Sequence, residues 1–388
     1  MKKIAIISRA LYMNGATKAL IEMLRRIDYS DIEIDLWVLD FGNPATEWIN
    51  QIPSQVCIKK IPQYKPNTYN LKLISFNPIK LIKAIQAGKK LNIEDKMINQ
   101  MELTAERLPM IRKKYDVAIS FRHLDIDVFY TIDNIKADKK FFWVHGIQPI
   151  QEEEVEVLSP YYKKYDGVLP VSKSAENNII KYFPFLRDKS KVAYCIVDSE
   201  EIIEKSNKGA SFPEDANNRI KIFTIARLGY EKGIDIAIKT AFLLKEKNIE
   251  FIWYVAGEGN QRAILERMIE NYSLQNDFIL LGNCNNPYTM LRDCDLYVQP
   301  SRLESYGLAI NEAKIMNKVI VCSDIPAGRE QLENGVTGIL SSLNENDFAD
   351  AIINIIDNNL KESIIKNLSS HNWSHFEVID IFKYLVNL

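Results

Sequence analysis

Short apolar runs, each feeding a polar loop and then a stretch of helical spacing, recur along the whole chain. Such runs suit strands buried on both faces, as in a parallel sheet covered by helices. The first is Ile4-Ala5-Ile6-Ile7, followed by a loop with Asn14 and Gly15. Ala19, Leu20, Met23, Leu24 and Ile27 then fall on one helical face. Strands are expected at 32–39, 116–120, 139–144 and 167–171, with helical stretches between most of them. Alternation of this kind predicts a doubly wound α/β domain.

The chain turns polar over 204–219, where Gly209 and Pro213 interrupt it, and this reads as a linker. The pattern then restarts, with strands expected at 220–226, 251–256, 278–281, 296–299 and 319–322 and helices at 233–247 and 261–272. The reading is two Rossmann-like parallel-sheet domains, 1–205 and 206–370, and a last segment, 371–388. Val378, Ile379, Ile381, Phe382, Tyr384, Leu385 and Val386 are too many apolar residues for a free tail, so this segment is expected to be a helix crossing back to the first domain. Ligands of open α/β sheets bind at the carboxyl ends of the strands, which predicts a cleft between the domains as the site.

Composition narrows the class. A net charge of −2 over 388 residues argues against a general nucleic-acid binder. The five cysteines are odd in number, spread out and free of any Cys-x-x-Cys pair, which fits reduced thiols in a cytoplasmic protein. The first apolar run is too short for a signal peptide, and none approaches the ~18–20 residues that cross a bilayer. Charge is unevenly spread: between Trp48 and Ile93 there are eight lysines and no Asp or Glu. Asn77-Pro78 reads as a helix cap and first turn, and Ile79, Leu81, Ile82 and Ile85 alternate with Lys80 and Lys83 beyond it. A basic amphipathic helix of this kind suits peripheral contact with an anionic membrane at its inner face; it also suits a solvated helix face.

The candidate chemistry lies mostly in the second half. Pro300-Ser301-Arg302-Leu303-Glu304-Ser305-Tyr306-Gly307-Leu308 follows a strand and opens a helix that contains Glu312. Amides at a helix start bind phosphate, Gly307 permits close approach, and Glu304 and Glu312 could accept bonds from sugar and ribose hydroxyls. On spacing alone a solvated Glu pair fits as well. Ala226-Arg227-Leu228-Gly229-Tyr230-Glu231-Lys232-Gly233 ends the strand that opens the second domain, and Arg227 and Lys232 suit a diphosphate or serve as ordinary surface cations. Asp125-x-Asp127 and Asp293-x-Asp295 have the spacing of a metal-binding pair, while His371 and His375 read as a surface pair. His145 after Phe141-Phe142-Trp143 suits either a site or a core histidine.

These motifs together resemble the retaining glycosyltransferases of family four, the group 1 glycosyltransferases of GT-B architecture. The match rests on Glu304-x7-Glu312, Asp295-Leu296-Tyr297-Val298-Gln299-Pro300-Ser301, Arg227 with Lys232-Gly233, Gly257-Glu258-Gly259, Gly328-Arg329-Glu330 and Asn334-Gly335-Val336-Thr337-Gly338. The first domain resembles the family through Gly15 and Val144-His145-Gly146. It departs in reading Asn14-Gly15-Ala16 where the family has a double glycine, and 192–198 lacks the usual Pro-Asn-Gly.

The resemblance implies that Arg227 and Lys232 hold a donor diphosphate and that Glu304 faces the transferred sugar. It places Glu258, Ser305, Tyr306, Gly307 and Leu308 near the donor and Glu312 on the ribose. Gly15 would approach the donor, and His145 would cover the sugar from the first domain. The implied reaction is metal-independent transfer with retention from a nucleotide-diphosphate sugar, UDP-linked at family level, without a cofactor. The acceptor would be a glycan, lipid-linked or protein acceptor in polysaccharide or cell-envelope biosynthesis. A nucleotide-sugar epimerase of the same architecture and a catalytically silent sugar- or nucleotide-binding protein are the rivals. The charged set Arg227, Lys232, Glu304 and Glu312 argues against both.

Overall fold

The computed structural model describes residues 1–11, 14–39, 49–61, 95–209, 211–213, 218–357, 360–374, 381 and 384–385. The chain divides into two compact units. One comprises 1–194 with the last described residues, Ile381, Tyr384 and Leu385; the other is Cys195–Phe376.

The first unit holds six parallel strands: β1 (Lys2–Ser8), β2 (Ile32–Val38), β3 (Val56–Lys60), β4 (Ile111–Ser120), β5 (Ile135–Val144) and β6 (Gly167–Pro170). Their order is β3-β2-β1-β4-β5-β6. The second unit repeats the plan with β7 (Ile220–Ile225), β8 (Phe251–Ala256), β9 (Phe278–Gly282), β10 (Leu296–Gln299), β11 (Val319–Ser323) and β12 (Ile339–Ser341), in the order β12-β11-β10-β7-β8-β9. Counted within each unit, both sheets run 3-2-1-4-5-6, the doubly wound dinucleotide-binding order. The chain reverses its winding between β1 and β4 in one unit and between β7 and β10 in the other. Loops diverge there and leave a crevice at the carboxyl ends of the strands.

The apolar runs of the sequence become the buried strands. Every residue of β8 and β10 is buried, and helices Ile234–Glu246 and Glu345–Asp357 cover one face with Ile234, Ala237, Ile238, Ala241, Phe348 and Ile352. Buried polar atoms in this core are partnered: Trp253 Nε1 donates to Thr224 Oγ1 at 3.0 Å, and Thr224 Oγ1 donates to the Val298 carbonyl at 2.6 Å. One side chain thus ties β7, β8 and β10 together without an orphaned polar group. In the first unit Phe142 stacks on Tyr162 at 4.3 Å between centroids, and Phe183 closes on Tyr162 edge-on.

The unit boundary falls after Tyr194, upstream of the polar stretch that reads as a linker. Helix Ser199–Ser206 goes with the second unit because its carboxyl end is held there. Arg292 Nη1 donates to the Ser206 carbonyl at 2.7 Å, and Thr289 Oγ1 to the Lys208 carbonyl at 3.0 Å. At the chain's end Ile381 and Leu385 are buried, and Lys191 Nζ stands 3.2 Å from the Tyr384 ring centroid. Lys59 and Lys60 stand on β3. Asn77-Pro78 and Lys65, Lys72, Lys80, Lys83, Lys89 and Lys90, like His375, Phe376, Val378, Ile379, Phe382 and Val386, lie outside the described residues. Among the described residues no helix is long and apolar enough to cross a membrane.

Candidate functional site

Arg227, Lys232 and Glu304 stand on the two loops that diverge where the second sheet reverses its winding. Residues 226–233 leave β7 and residues 300–307 leave β10. Contacts between the loops are close. A Cβ on Gly233 would lie 2.0 Å from the Pro300 carbonyl oxygen, and Gly233 has φ +66°, so the position admits glycine alone without strain. Arg302 N and Leu303 N donate to the Glu231 carbonyl at 2.8 and 3.2 Å. Arg302 forks onto Asp235 with two bonds of 2.7 Å. Burial alone would raise the Asp235 carboxyl, but this fork holds it below the usual carboxylate range.

At the centre, Lys232 Nζ donates to Glu304 Oε1 at 2.7 Å. Ser301 Oγ and Gln299 Nε2 donate to the same oxygen at 2.9 and 3.1 Å. Tyr297 in turn donates to Gln299 Oε1 at 2.5 Å. Three donors on Oε1 fix the carboxylate and leave Oε2 without a hydrogen bond among the described residues. This buried chain from Tyr297 through Gln299 to Glu304 was not foreseen from spacing. Only the alternation of β10, which sends Tyr297 and Gln299 to one face, hints at it.

Arg227 is 71% exposed at its side chain and bonded to Glu231 of its own loop. Glu258 follows β8 and is paired with Arg262 at 2.6 Å, while its carbonyl receives the Leu228 amide at 2.9 Å and so supports the Arg227 loop. Gly307, at φ +84°, immediately precedes helix Leu308–Ile315. The first amides of that helix have no carbonyl partner within it and carry its positive end. Ser305 and Leu308 are partly exposed at this start, and Tyr306 is buried beneath it. Glu312, one turn on, is 5% exposed, and its Oε1 accepts from Tyr288 Oη at 3.1 Å.

The second unit thus brings together Arg227, Lys232, Glu258, Glu304, Ser305, Tyr306, Gly307, Leu308 and Glu312. Gly15 and His145 belong to the first. Gly15 is the first residue of helix Gly15–Arg26, whose cap Asn14 accepts from Thr17 N at 3.0 Å. His145 follows β5, stacked on Trp143 at 5.6 Å and tilted over Phe121 at 4.6 Å. Burial, with the nearby His123 and Arg122, pushes its pKa down to about 3, so the ring is neutral at pH 7. Its Nε2 is enclosed and has no hydrogen bond among the described residues.

Of the two Asp-x-Asp pairs, Asp125, Asp293 and Asp295 have protein partners. Asp125 caps helix Ile126–Asn134 by accepting from Ile126 N at 2.8 Å. Asp127 is wholly buried, neither of its carboxylate oxygens has a hydrogen bond among the described residues, and burial with the nearby Asp125 charge raises its pKa well above the usual carboxylate range. Asp293 pairs with Arg292 at 2.7 Å, and Asp295 accepts from Lys221 N at 3.0 Å. Both precede β10 and lie at the end of the strand opposite Glu304. His371 is exposed and stacks on Trp373 at 5.0 Å.

Comparison with known proteins fits this geometry. Residues 206–370 match the family described as glycosyl transferases group 1. The chain has the GT-B architecture, and its second unit is a group 1 glycosyltransferase domain. The poly(ribitol-phosphate) alpha-N-acetylglucosaminyltransferase of Staphylococcus aureus is 27% identical over 222 residues, 54% of this chain and 42% of that protein. The N-acetylgalactosamine-N,N'-diacetylbacillosaminyl-diphospho-undecaprenol 4-alpha-N-acetylgalactosaminyltransferase of Campylobacter jejuni is 24% identical over 236 residues, 59% of this chain and 62% of that protein. The matched segments thus span about half the length of these curated relatives. In fold, the chain is similar over its whole length to Anabaena Alr3699/HepE in complex with UDP, with a TM-score of 0.73 at 16% identity and all of both chains covered.

Proposed function

We propose that this protein is a retaining glycosyltransferase that moves a sugar from a UDP-linked donor to a glycan or lipid-linked acceptor of the cell envelope. The observation that carries the reading is the Lys232–Glu304 pair, set on the two diverging loops of a group 1 glycosyltransferase domain. Lys232, Arg227 and the amides at the start of helix Leu308–Ile315 form a cationic edge for a diphosphate. The free oxygen of Glu304 is offered to a sugar hydroxyl, and Glu312 to the ribose. The acceptor oxygen bonds to the anomeric carbon on the face from which the diphosphate departs. The electrons of the breaking bond go to the phosphate oxygen, which also takes the acceptor's proton. Lys232, Arg227 and the amides stabilise the charge that develops there. Both curated relatives are named as alpha-transferases. An alpha product from an alpha-linked nucleotide sugar is retention. Their names also make UDP-N-acetylglucosamine and UDP-N-acetylgalactosamine the first donors to try.

The test is turnover. A panel of nucleotide sugars is ranked by thermal shift, and release of nucleoside diphosphate is then followed with and without acceptor. Release that depends on acceptor supports transfer; binding without turnover on every acceptor class would favour the silent binding protein. Since the diphosphate charge is assigned to Lys232, Arg227 and backbone amides, activity is expected to survive EDTA. Loss with EDTA and recovery with Mg²⁺ would overturn that assignment. The acid-free lysine segment supports contact of the first unit with an anionic membrane, and failure to float with anionic liposomes at low salt would point to a soluble acceptor.

A further inference from the structure

Gln331 ends the helix Pro326–Gln331 that follows β11, behind the start of helix Leu308–Ile315, and neither its spacing nor its residue type marks it as part of a site. It is 6% exposed. Its Nε2 donates to two successive carbonyls, those of Tyr306 and of Gly307, the latter at 3.0 Å. Its Oε1 is buried and has no hydrogen bond among the described residues. A buried amide that leaves its acceptor unmet carries a desolvation cost of about 1–3 kcal/mol. An apolar side chain of the same length would avoid that cost, so the donor end accounts for the residue's presence.

Peptide planarity shows what that donor does. In a trans peptide the carbonyl of one residue and the N–H of the next point in opposite directions. Drawing the Tyr306 carbonyl back toward Gln331 therefore turns the Gly307 N–H away from it. The bond to the Gly307 carbonyl does the same for the Leu308 N–H, together with the helix amides that this carbonyl also accepts. Gly307 sits at φ +84°, where the chain is soft and the two peptide planes have no helical neighbours before them to set their tilt. The Gly307 carbonyl is shared with the first turn of the helix, accepting Ile310 N at 2.9 Å and Asn311 N at 3.4 Å, so Gln331 bears most on the Tyr306 carbonyl; Asn311 Nδ2 holds the Tyr306 side chain by donating to its Oη at 3.0 Å. The backbone of Gln331 is itself anchored, its carbonyl accepting from the buried Lys314 Nζ at 3.2 Å. Lys314 lies 3.9 Å from the centre of the Trp373 ring.

We infer that Gln331 is a positioning residue that aims the Gly307 and Leu308 amides at the donor diphosphate. The inference rests on the glycosyltransferase reading and adds to it the origin of the amide geometry. Gln331 touches no substrate. It acts through the backbone, so its removal weakens the phosphate part of recognition and leaves the nucleoside part intact.

Calorimetric titration of the full chain with UDP and with uridine tests this. Gln331→Met keeps length and volume and removes the donor. It is expected to weaken UDP binding about tenfold, the worth of one to two charge-assisted bonds, with uridine binding unchanged. Gln331→Glu, which turns acceptors toward the two carbonyls, is expected to weaken UDP further. Equal UDP affinity in wild type and Gln331→Met overturns the inference, as does a parallel loss of UDP and uridine binding, which would mark a purely structural role. A readout without substitution is the amide resonances of Gly307 and Leu308 in selectively labelled wild-type protein. They should shift with UDP and not with uridine, and their indifference to UDP would also overturn it. Failure of the wild type to bind any nucleoside diphosphate would bring down the functional reading itself, a result distinct from the others.

Discussion

The two units share one strand order, and they furnish the same topological position with different balances of paired and buried titratable groups. Where the second sheet reverses its winding, the loops carry charges that are paired and at least partly reached by solvent: Lys232 with Glu304, Arg227 with Glu231, Arg302 with Asp235. The corresponding place in the first unit carries one such pair, Arg9 with Asp125 at 3.4 Å, and beside it Asp127 and His123, both buried, with His145 just past the end of β5. Burial pushes the pKa of both histidines down to about 3, so they are neutral at pH 7, and raises that of the Asp127 carboxyl well above the usual carboxylate range. The fold therefore decides where a ligand goes, and the burial of the loop side chains decides how it is met. Paired charges at the surface can exchange partners with a diphosphate. Neutral buried rings and acids can shape a wall but supply no net charge.

The sharpest way to break this comparison is to delete the charges. Lys232→Ala and Glu304→Gln are each expected to lower kcat/KM by about 10²–10³, the cost of losing one preorganised charged partner at a developing anion. The fold should survive, because the pair is solvent-touched at 20% and 10% side-chain exposure and tied to loops outside the core. Steady-state turnover beside a thermal melt decides it. Near-normal turnover in a well-folded variant would take that residue out of the site.

A smaller effect should appear as stability against pH, and below pH 7 it should be larger in the first unit. The pKa of His123 falls to about 3 through burial, with the Arg122 charge adding to it. A histidine depressed on folding contributes stability fully above its unfolded pKa near 6.5, and that stability is lost as pH falls toward the folded value. Between pH 7 and 5 the loss is about 2 kcal/mol. Asp127 has the opposite sign. Its raised pKa contributes stability at low pH that is lost as pH rises from the unfolded value near 3.9 toward the folded one. The two act in opposite directions in the wild type, with His145 on the side of His123, so single substitutions must separate them. Relative to wild type, His123→Asn should gain stability between pH 7 and 5, and Asp127→Asn should lose it. Asp235→Asn in the second unit should show no slope in that window, since Asp235 is depressed and titrates below it. Denaturant melts of the three variants at both pH values measure this. Parallel curves for His123→Asn and Asp127→Asn would refute the neutral, buried assignment.

The same contrast explains what was legible in the sequence. Continuous apolar runs gave β8 and β10 to the residue, because burial on both faces leaves no room for polar side chains. β3, Val56-Cys57-Ile58-Lys59-Lys60, went unread: it is an edge strand with mostly uncovered side chains and the composition of the lysine-rich segment around it. The early parts of β4 and β5, Ile111-Arg112-Lys113-Lys114-Tyr115 and Ile135-Lys136-Ala137-Asp138, were missed because their polar residues project beyond the helical cover. At the site, Arg227, Lys232, Glu304 and Glu312 were legible as charged groups at loop and helix positions. Tyr297, Gln299, Tyr288 and Gln331 were not. Their role is a hydrogen bond to a group distant in sequence or on another element, and nothing local encodes it.

The smallest expected effect sharpens the idea that the surface charges of the second unit are exchangeable. Arg227 is engaged by Glu231 in the same loop. A diphosphate that uses Arg227 must displace that carboxylate and sit beside it. Exposed pairs of this kind are worth about 0.2–1 kcal/mol, so freeing Arg227 should tighten UDP binding by about 1.4- to fivefold in Glu231→Gln. The loop should not move, since Glu231 supports Arg302 and Leu303 through its backbone carbonyl, which the substitution leaves in place. Salt supplies the control. The gain should shrink toward nothing near 1 M ionic strength, where the screening length falls to about 3 Å. Glu304→Gln also frees a cation, Lys232, yet is expected to lose activity, because that carboxylate is held by three donors and offers its other oxygen to substrate. If Glu231→Gln weakens UDP binding at low salt, Glu231 acts as a ligand or an orienting group for Arg227, and the pairing is part of the donor site and not a resting state that the donor displaces.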